Sequence, residues 1–87
     1  MINQISAIEL HAVMATTSVK LIDVREQWEF DGGHVPGAEW IPMALVPIRR
    51  QEFVSPDPVY VVCRTGARSG QVVAWLAQQG IEATNVA

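Results

Sequence analysis

The apolar positions fall into short blocks with two alternating periods. Leu10, Val13 and Met14 recur at helical spacing behind Ser6 and Glu9, an S-x-x-E pair that predicts a capping box, with Ile5 and Leu10 placed to staple it. This predicts a helix over 7–15. The run Val19 to Val24 is almost continuously apolar, which suits a strand buried on both faces of a parallel sheet. Glu26 to Asp31 then predicts a short helix stopped by Gly32 and Gly33, and Pro36-Gly37 suits the centre of a type II turn. Glu39 to Met43 reads as a short strand that Pro42 confines to an edge or a strand end. Pro47 predicts the first turn of a helix reaching about Phe53. Val59 to Val62 gives the clearest strand. The spacing of Val72, Val73, Leu76 and Ala77 predicts a helix over 68–79 closed by Gly80, and Thr84 to Ala87 a last strand. Strands separated by helices in segments this short predict an α/β fold, a small doubly wound parallel sheet with helices on both faces.

Composition narrows this picture. Eighty-seven residues make a single domain over 1–87, and 49% hydrophobic content lets it form a core without staples. The single cysteine has no internal disulfide partner and no metal-ligand spacing around it, so no metal or other cofactor is expected and a reducing, cytoplasmic setting fits. A net charge of −3 argues against nucleic acid as a partner. No window approaches the roughly 20 apolar residues of a membrane span, and no basic-then-apolar leader opens the sequence.

The chemistry concentrates in Pro58 to Ser69. The strand ends in Cys63, and Arg64 and Arg68 follow around Thr65, Gly66 and Ala67 before a helix begins. In open α/β sheets, sites form beyond the carboxyl ends of the strands. A thiol there, beside cations and a helix N-terminus, is expected to ionise below its ordinary pKa. Gly66 permits positive φ, so consecutive N–H groups can turn inward as an anion nest. Cys63 is therefore the candidate nucleophile, with Arg64, Thr65, Gly66, Ala67, Arg68 and Ser69 as the substrate-binding loop.

Three stretches carry a resemblance to the rhodanese family of sulfurtransferases: Leu21-Ile22-Asp23-Val24-Arg25-Glu26, Gly33-His34-Val35-Pro36-Gly37-Ala38 and Val61-Val62-Cys63-Arg64-Thr65-Gly66-Ala67-Arg68-Ser69. The resemblance implies a rhodanese-like domain and a ping-pong reaction through a Cys63 persulfide. The sulfur would come from thiosulfate or another small anionic donor and leave to a thiol or cyanide. A sulfur carrier or docking module loaded by a protein donor is the alternative. Tyrosine-type phosphatases place five residues between cysteine and arginine. Here four separate Cys63 from Arg68, a tighter loop that favours a persulfide over phosphatase or arsenate-reductase chemistry. Family members continue past Asn85-Val86 into a Gly-Gly turn and a final helix. The sequence here stops at Ala87, so that last helix is expected to be missing, from C-terminal truncation or a minimal design, with one sheet face partly uncovered.

The remaining polar residues receive plainer expectations. Asp23 and Arg25 should brace turns at the carboxyl edge of the sheet. His34 should make a loop-bracing hydrogen bond, and His11 should lie on the surface. Arg49 and Arg50 are candidates for a basic rim around the pocket, with a solvated helix face as the alternative. Trp28, Trp40 and Trp75 are expected in the core or the pocket wall.

Overall fold

The computed structural model describes residues 2–87. Its five parallel strands are β1 (Gln4–Ile5), β2 (Lys20–Asp23), β3 (Glu39–Trp40), β4 (Val59–Val62) and β5 (Thr84–Val86), arranged in the order β1-β5-β4-β2-β3. The helices are α1 (Ala7–Thr16), α2 (Gln27–Asp31) and α3 (Ala67–Gln78). The expected α/β class and parallel sheet are present. β2 and β4 form the centre, in register from Lys20 opposite Val59 to Asp23 opposite Val62.

Alternate residues of these strands feed two cores. Ile22, Val24, Val59 and Val61 are buried with Val72, Val73 and Leu76 of α3. Leu21, Val62 and Val86 are buried with Leu10 of α1 on the other face. α3 covers one face and α1 part of the other, where Val62 and Val86 still border an open groove; burial on both sides explains why β2 and β4 lack a polar alternation. β2 continues outward to β3, whereas β4 continues the opposite way to β5. The direction in which successive strands are added therefore reverses between β2 and β4, and a crevice opens at their carboxyl ends.

Local signals behave as their chemistry dictates. Ser6 Oγ accepts from Glu9 N–H at 3.1 Å while Glu9 Oε1 accepts from Ser6 N–H at 2.9 Å. Ile5 packs on the cluster that holds Leu10, so box and staple are both formed. Ala38 N–H donates to Val35 O at 3.0 Å around Gly37, whose φ is 87°. Gly80, at φ 75°, ends α3 in a Schellman motif: its N–H reaches Ala77 O and that of Ile81 reaches Leu76 O.

Four expectations need correction. The short strand β1 was not anticipated; two residues give no readable period, and its existence depends on pairing with β5. β3 ends at Trp40; Ile41 N–H still reaches Asp23 O and Met43 N–H reaches Val24 O, one residue short of the regular register, as the chain turns away after Pro42. The helix expected from Pro47 is a 3-10 turn over Arg50–Phe53, preceded by another at Met43–Leu45; together they bury Phe53 and Val46 without a full helical repeat. Trp28 is neither core nor pocket wall, being 72% exposed. Trp75 does pack on the main core, and Trp40 is half-buried with its Nε1 donating to Arg25 O. Among the described residues no helix is long and apolar enough to cross a membrane.

Ser6→Ala should lower stability by about 1 kcal/mol, the usual worth of an N-cap. Urea titration should show a lower midpoint at unchanged slope.

Candidate active site at the β4–α3 loop

β4 delivers Cys63 to the crevice, where its half-buried thiol faces a groove of about 810 Å³. Leu10, Met14, Val62 and Val86 supply the groove's apolar surface, and Arg64 and Thr65 stand at its rim. A smaller cavity, about 400 Å³, lies near the amino ends of β4 and β5 and has no thiol, imidazole or cation in its lining.

Two donors converge on the sulfur. Gly66 N–H lies 3.1 Å from Cys63 Sγ, and Ser69 Oγ lies 3.2 Å from it. The first contact requires the left-handed conformation of Gly66, φ 89°, which also starts α3. A side chain there would be strained, and its Cβ would come within 3.0 Å of Ala87 Cα. Burial pushes the thiol pKa up. Donation from the Ser69 hydroxyl and from the backbone at Ser69, Thr65 and Gly66 outweighs it, so the thiol ionises below its ordinary value. Hydrogen bonds are the main cause of the lowering, and Arg68 also interacts with the sulfur through its charge.

The two arginines have separate positions. Arg68 turns from the groove and meets Glu29 of α2 in a bidentate pair, Nη1–Oε1 2.7 Å and Nη2–Oε2 2.9 Å. The Glu29 side chain is only 7% exposed. Hydrogen bonding from Arg68 pulls its carboxyl down to about 2, assisted by the Glu26 backbone. Arg64 is exposed, borders the groove and has no carboxylate partner among the described residues. Ala67 is exposed in the first turn of α3, and its N–H lies 3.5 Å from Thr65 Oγ1.

The braces at the carboxyl edge match expectation. Asp23, 1% exposed, holds Arg25 through both carboxylate oxygens, and Arg25 Nη2 continues to Gly33 O at 2.8 Å. His34 stacks on Phe30 with ring centroids 3.7 Å apart, and its Nδ1 is 2.9 Å from Phe30 O. His11 is exposed. Arg49 pairs with Glu52 at 2.5 Å, and neither Arg49 nor Arg50 lines the groove, so no basic rim forms from them. Among the described residues, no cluster of three His, Cys, Asp or Glu side chains is placed to hold a metal.

Two contributors had no assigned role in the sequence. Glu29 reads as one more acid on a short polar helix, and only the fold shows its partner. Asn85, 2% exposed, donates to Gly66 O at 3.1 Å and contacts Ser69. An amide in a strand is unfavourable by propensity, which is the one signal that could have marked it.

Known proteins resemble this chain in sequence and in fold. The profile of the rhodanese-like domain matches residues 6–87. A protein of Allochromatium vinosum named as a sulfurtransferase is 42% identical over 81 residues, covering 92% of this chain and 76% of its own. A thiosulfate sulfurtransferase, GlpE of Pseudoalteromonas translucida, is 30% identical over 74% of this chain and 61% of its own. A putative sulfur carrier protein of Bacillus subtilis, YrkF, is 34% identical over 75% of this chain but only 35% of its own. The crystal structure of a Staphylococcus aureus rhodanese-like domain protein superposes with a TM-score of 0.91 at 35% identity, covering 98% of this chain and 84% of that one.

The Glu29–Arg68 pair should make stability acid-dependent. A carboxylate whose pKa is depressed on folding stabilises the fold above its unfolded value and loses that contribution as pH falls through the folded one. The stability gap between the protein and Glu29→Gln should be full above pH 4.5 and close as pH falls toward about 2, measured by denaturant midpoints across that range.

Proposed function

The chain belongs to the rhodanese-like domain family, and from that membership we propose that it is a sulfurtransferase that carries sulfane sulfur on Cys63. The observation that carries this reading is the convergence of Gly66 N–H and Ser69 Oγ on one half-buried sulfur at the floor of an open groove. Donors fixed before the reaction stabilise negative sulfur without reorganisation.

With thiosulfate as donor, the Cys63 thiolate attacks the sulfane sulfur. An Sγ–S bond forms, the donor's S–S bond breaks, and sulfite departs with the bonding pair. The persulfide carries its charge on the outer sulfur, within reach of the loop's inward N–H groups. Cyanide or a thiolate then attacks that outer sulfur, taking it as thiocyanate or a new persulfide and returning the Cys63 thiolate. No net oxidation occurs and no further cofactor takes part. Arg64 is the residue suited to draw an anionic donor to the groove, because Arg68 is engaged by Glu29. The same engagement disfavours a phosphatase, whose loop arginine must turn inward to hold a phosphoryl group.

A second reading keeps the same persulfide but loads it from a protein. The volume of the groove, about 810 Å³, favours it, since a small anion needs far less room. The Bacillus relative named as a putative sulfur carrier is consistent with that role.

After thiosulfate treatment, intact-mass measurement should show the mass of one added sulfur, removed by cyanide and missing in Cys63→Ser. An unmodified protein under conditions that load another rhodanese would refute the small-donor reading, and sulfur uptake only from a protein persulfide would establish the second. Arg64→Ala should raise KM for thiosulfate by roughly tenfold, the scale of one charge-assisted contact, while alkylation by neutral iodoacetamide stays close to unchanged.

A further inference from the structure

The Ser69 hydroxyl lies between two acceptors and has one hydrogen to donate. Its oxygen is 3.2 Å from Cys63 Sγ and 2.5 Å from Asn85 Oδ1, with both Ser69 and Asn85 buried. The orientation of the Asn85 amide follows from its other contacts. Nδ2 is 3.1 Å from the carbonyl oxygen of Gly66 and 2.9 Å from Gln4 Oε1. A backbone carbonyl only accepts, so the amide nitrogen must face it and Oδ1 must face Ser69. Gly70 permits this approach, since a Cβ there would stand 3.3 Å from Nδ2.

We propose that Asn85 is a positioning residue that governs Cys63 by competing with its sulfur for the Ser69 hydroxyl hydrogen. With Cys63 as a thiol, the hydroxyl donates to Asn85 and its lone pairs can accept from S–H. When the thiol gives its proton to solvent, the hydroxyl turns to the thiolate. Asn85 Oδ1 then keeps a close oxygen neighbour without a hydrogen between them, in a buried setting where that is unfavourable. Asn85 therefore restrains ionisation of Cys63. On the persulfide reading above, on which this step rests, loading moves the charge to the outer sulfur. Sγ becomes a weak acceptor and the hydroxyl returns to Asn85, so the same residue favours the loaded form over the bare thiolate.

The charged and titratable groups around this sulfur are Arg64, the Asp23–Arg25 pair at the end of β2, and His11 and His34 of the groove, with the Glu29–Arg68 pair turned away behind the loop. Their effects weaken with added salt. A neutral amide acting on a neutral hydroxyl should not show that weakening.

The test is the pH dependence of Cys63 alkylation by iodoacetamide, without any sulfur donor, in the parent, Asn85→Ala, Ser69→Ala and the double variant. Asn85→Ala should titrate at lower pH than the parent, with about fivefold more thiolate at neutral pH, the scale of one neutral hydrogen bond. Ser69→Ala should titrate higher, and adding Asn85→Ala to it should change nothing. The Asn85→Ala shift should also persist in high salt. Asn85→Val, which fills the strand position without an acceptor, carries the same expectation if the alanine form unfolds. An asparagine that merely braces the loop would give an upward shift, or one that survives in the Ser69→Ala background; either result overturns the proposal. Sulfur transfer plays no part in the measurement, so failure of the persulfide reading is separately detectable.

Discussion

The site depends on hydrogen-bond donation to a single sulfur. Cys63 Sγ is half-buried, which alone would keep it protonated, and the Gly66 N–H and Ser69 hydroxyl reverse that balance. Such donors act only when they are held in place. β4, locked between β2 and β5, fixes the cysteine; left-handed Gly66 turns the loop; and α3 begins at once and carries Ser69 back over the sulfur. The two cores on either side of the sheet serve this geometry by pinning β4 from both faces.

Charge is arranged around this centre in two layers. Paired charges brace it: Asp23 with Arg25 beyond β2, and Glu29 with Arg68 between α2 and α3. Arg64 remains open at the groove and is the cation suited to meet an anionic partner. Two arginines four positions apart thus divide into a strut and a candidate contact, and the difference arises from which way the first turn of α3 faces.

Much of this was legible in the sequence, for identifiable reasons. β2 and β4 were visible because burial on both faces removes polar residues from a strand. α1 was visible because Ser6 and Glu9 form a local, self-contained cap. The loop was visible because Cys63 ends a strand between two arginines, with Gly66 free to take positive φ and a helix following at once. What stayed hidden depends on distant partners. β1 is two residues long and exists only against β5; Glu29 gains its meaning from a residue 39 positions away. Trp28 was misplaced because a large apolar residue on a five-residue helix has no neighbouring turn to show which side it faces. Asn85 was hidden because its three partners, Gln4, Gly66 and Ser69, come together only when the sheet and α3 assemble.

The claim that donors outweigh burial at Cys63 is tested most directly by the ultraviolet absorbance of the thiolate, followed against pH in the unmodified protein. The structure predicts a midpoint below the ordinary value of a free cysteine thiol. A midpoint at or above that value would show that burial prevails and that the loop does not activate its sulfur.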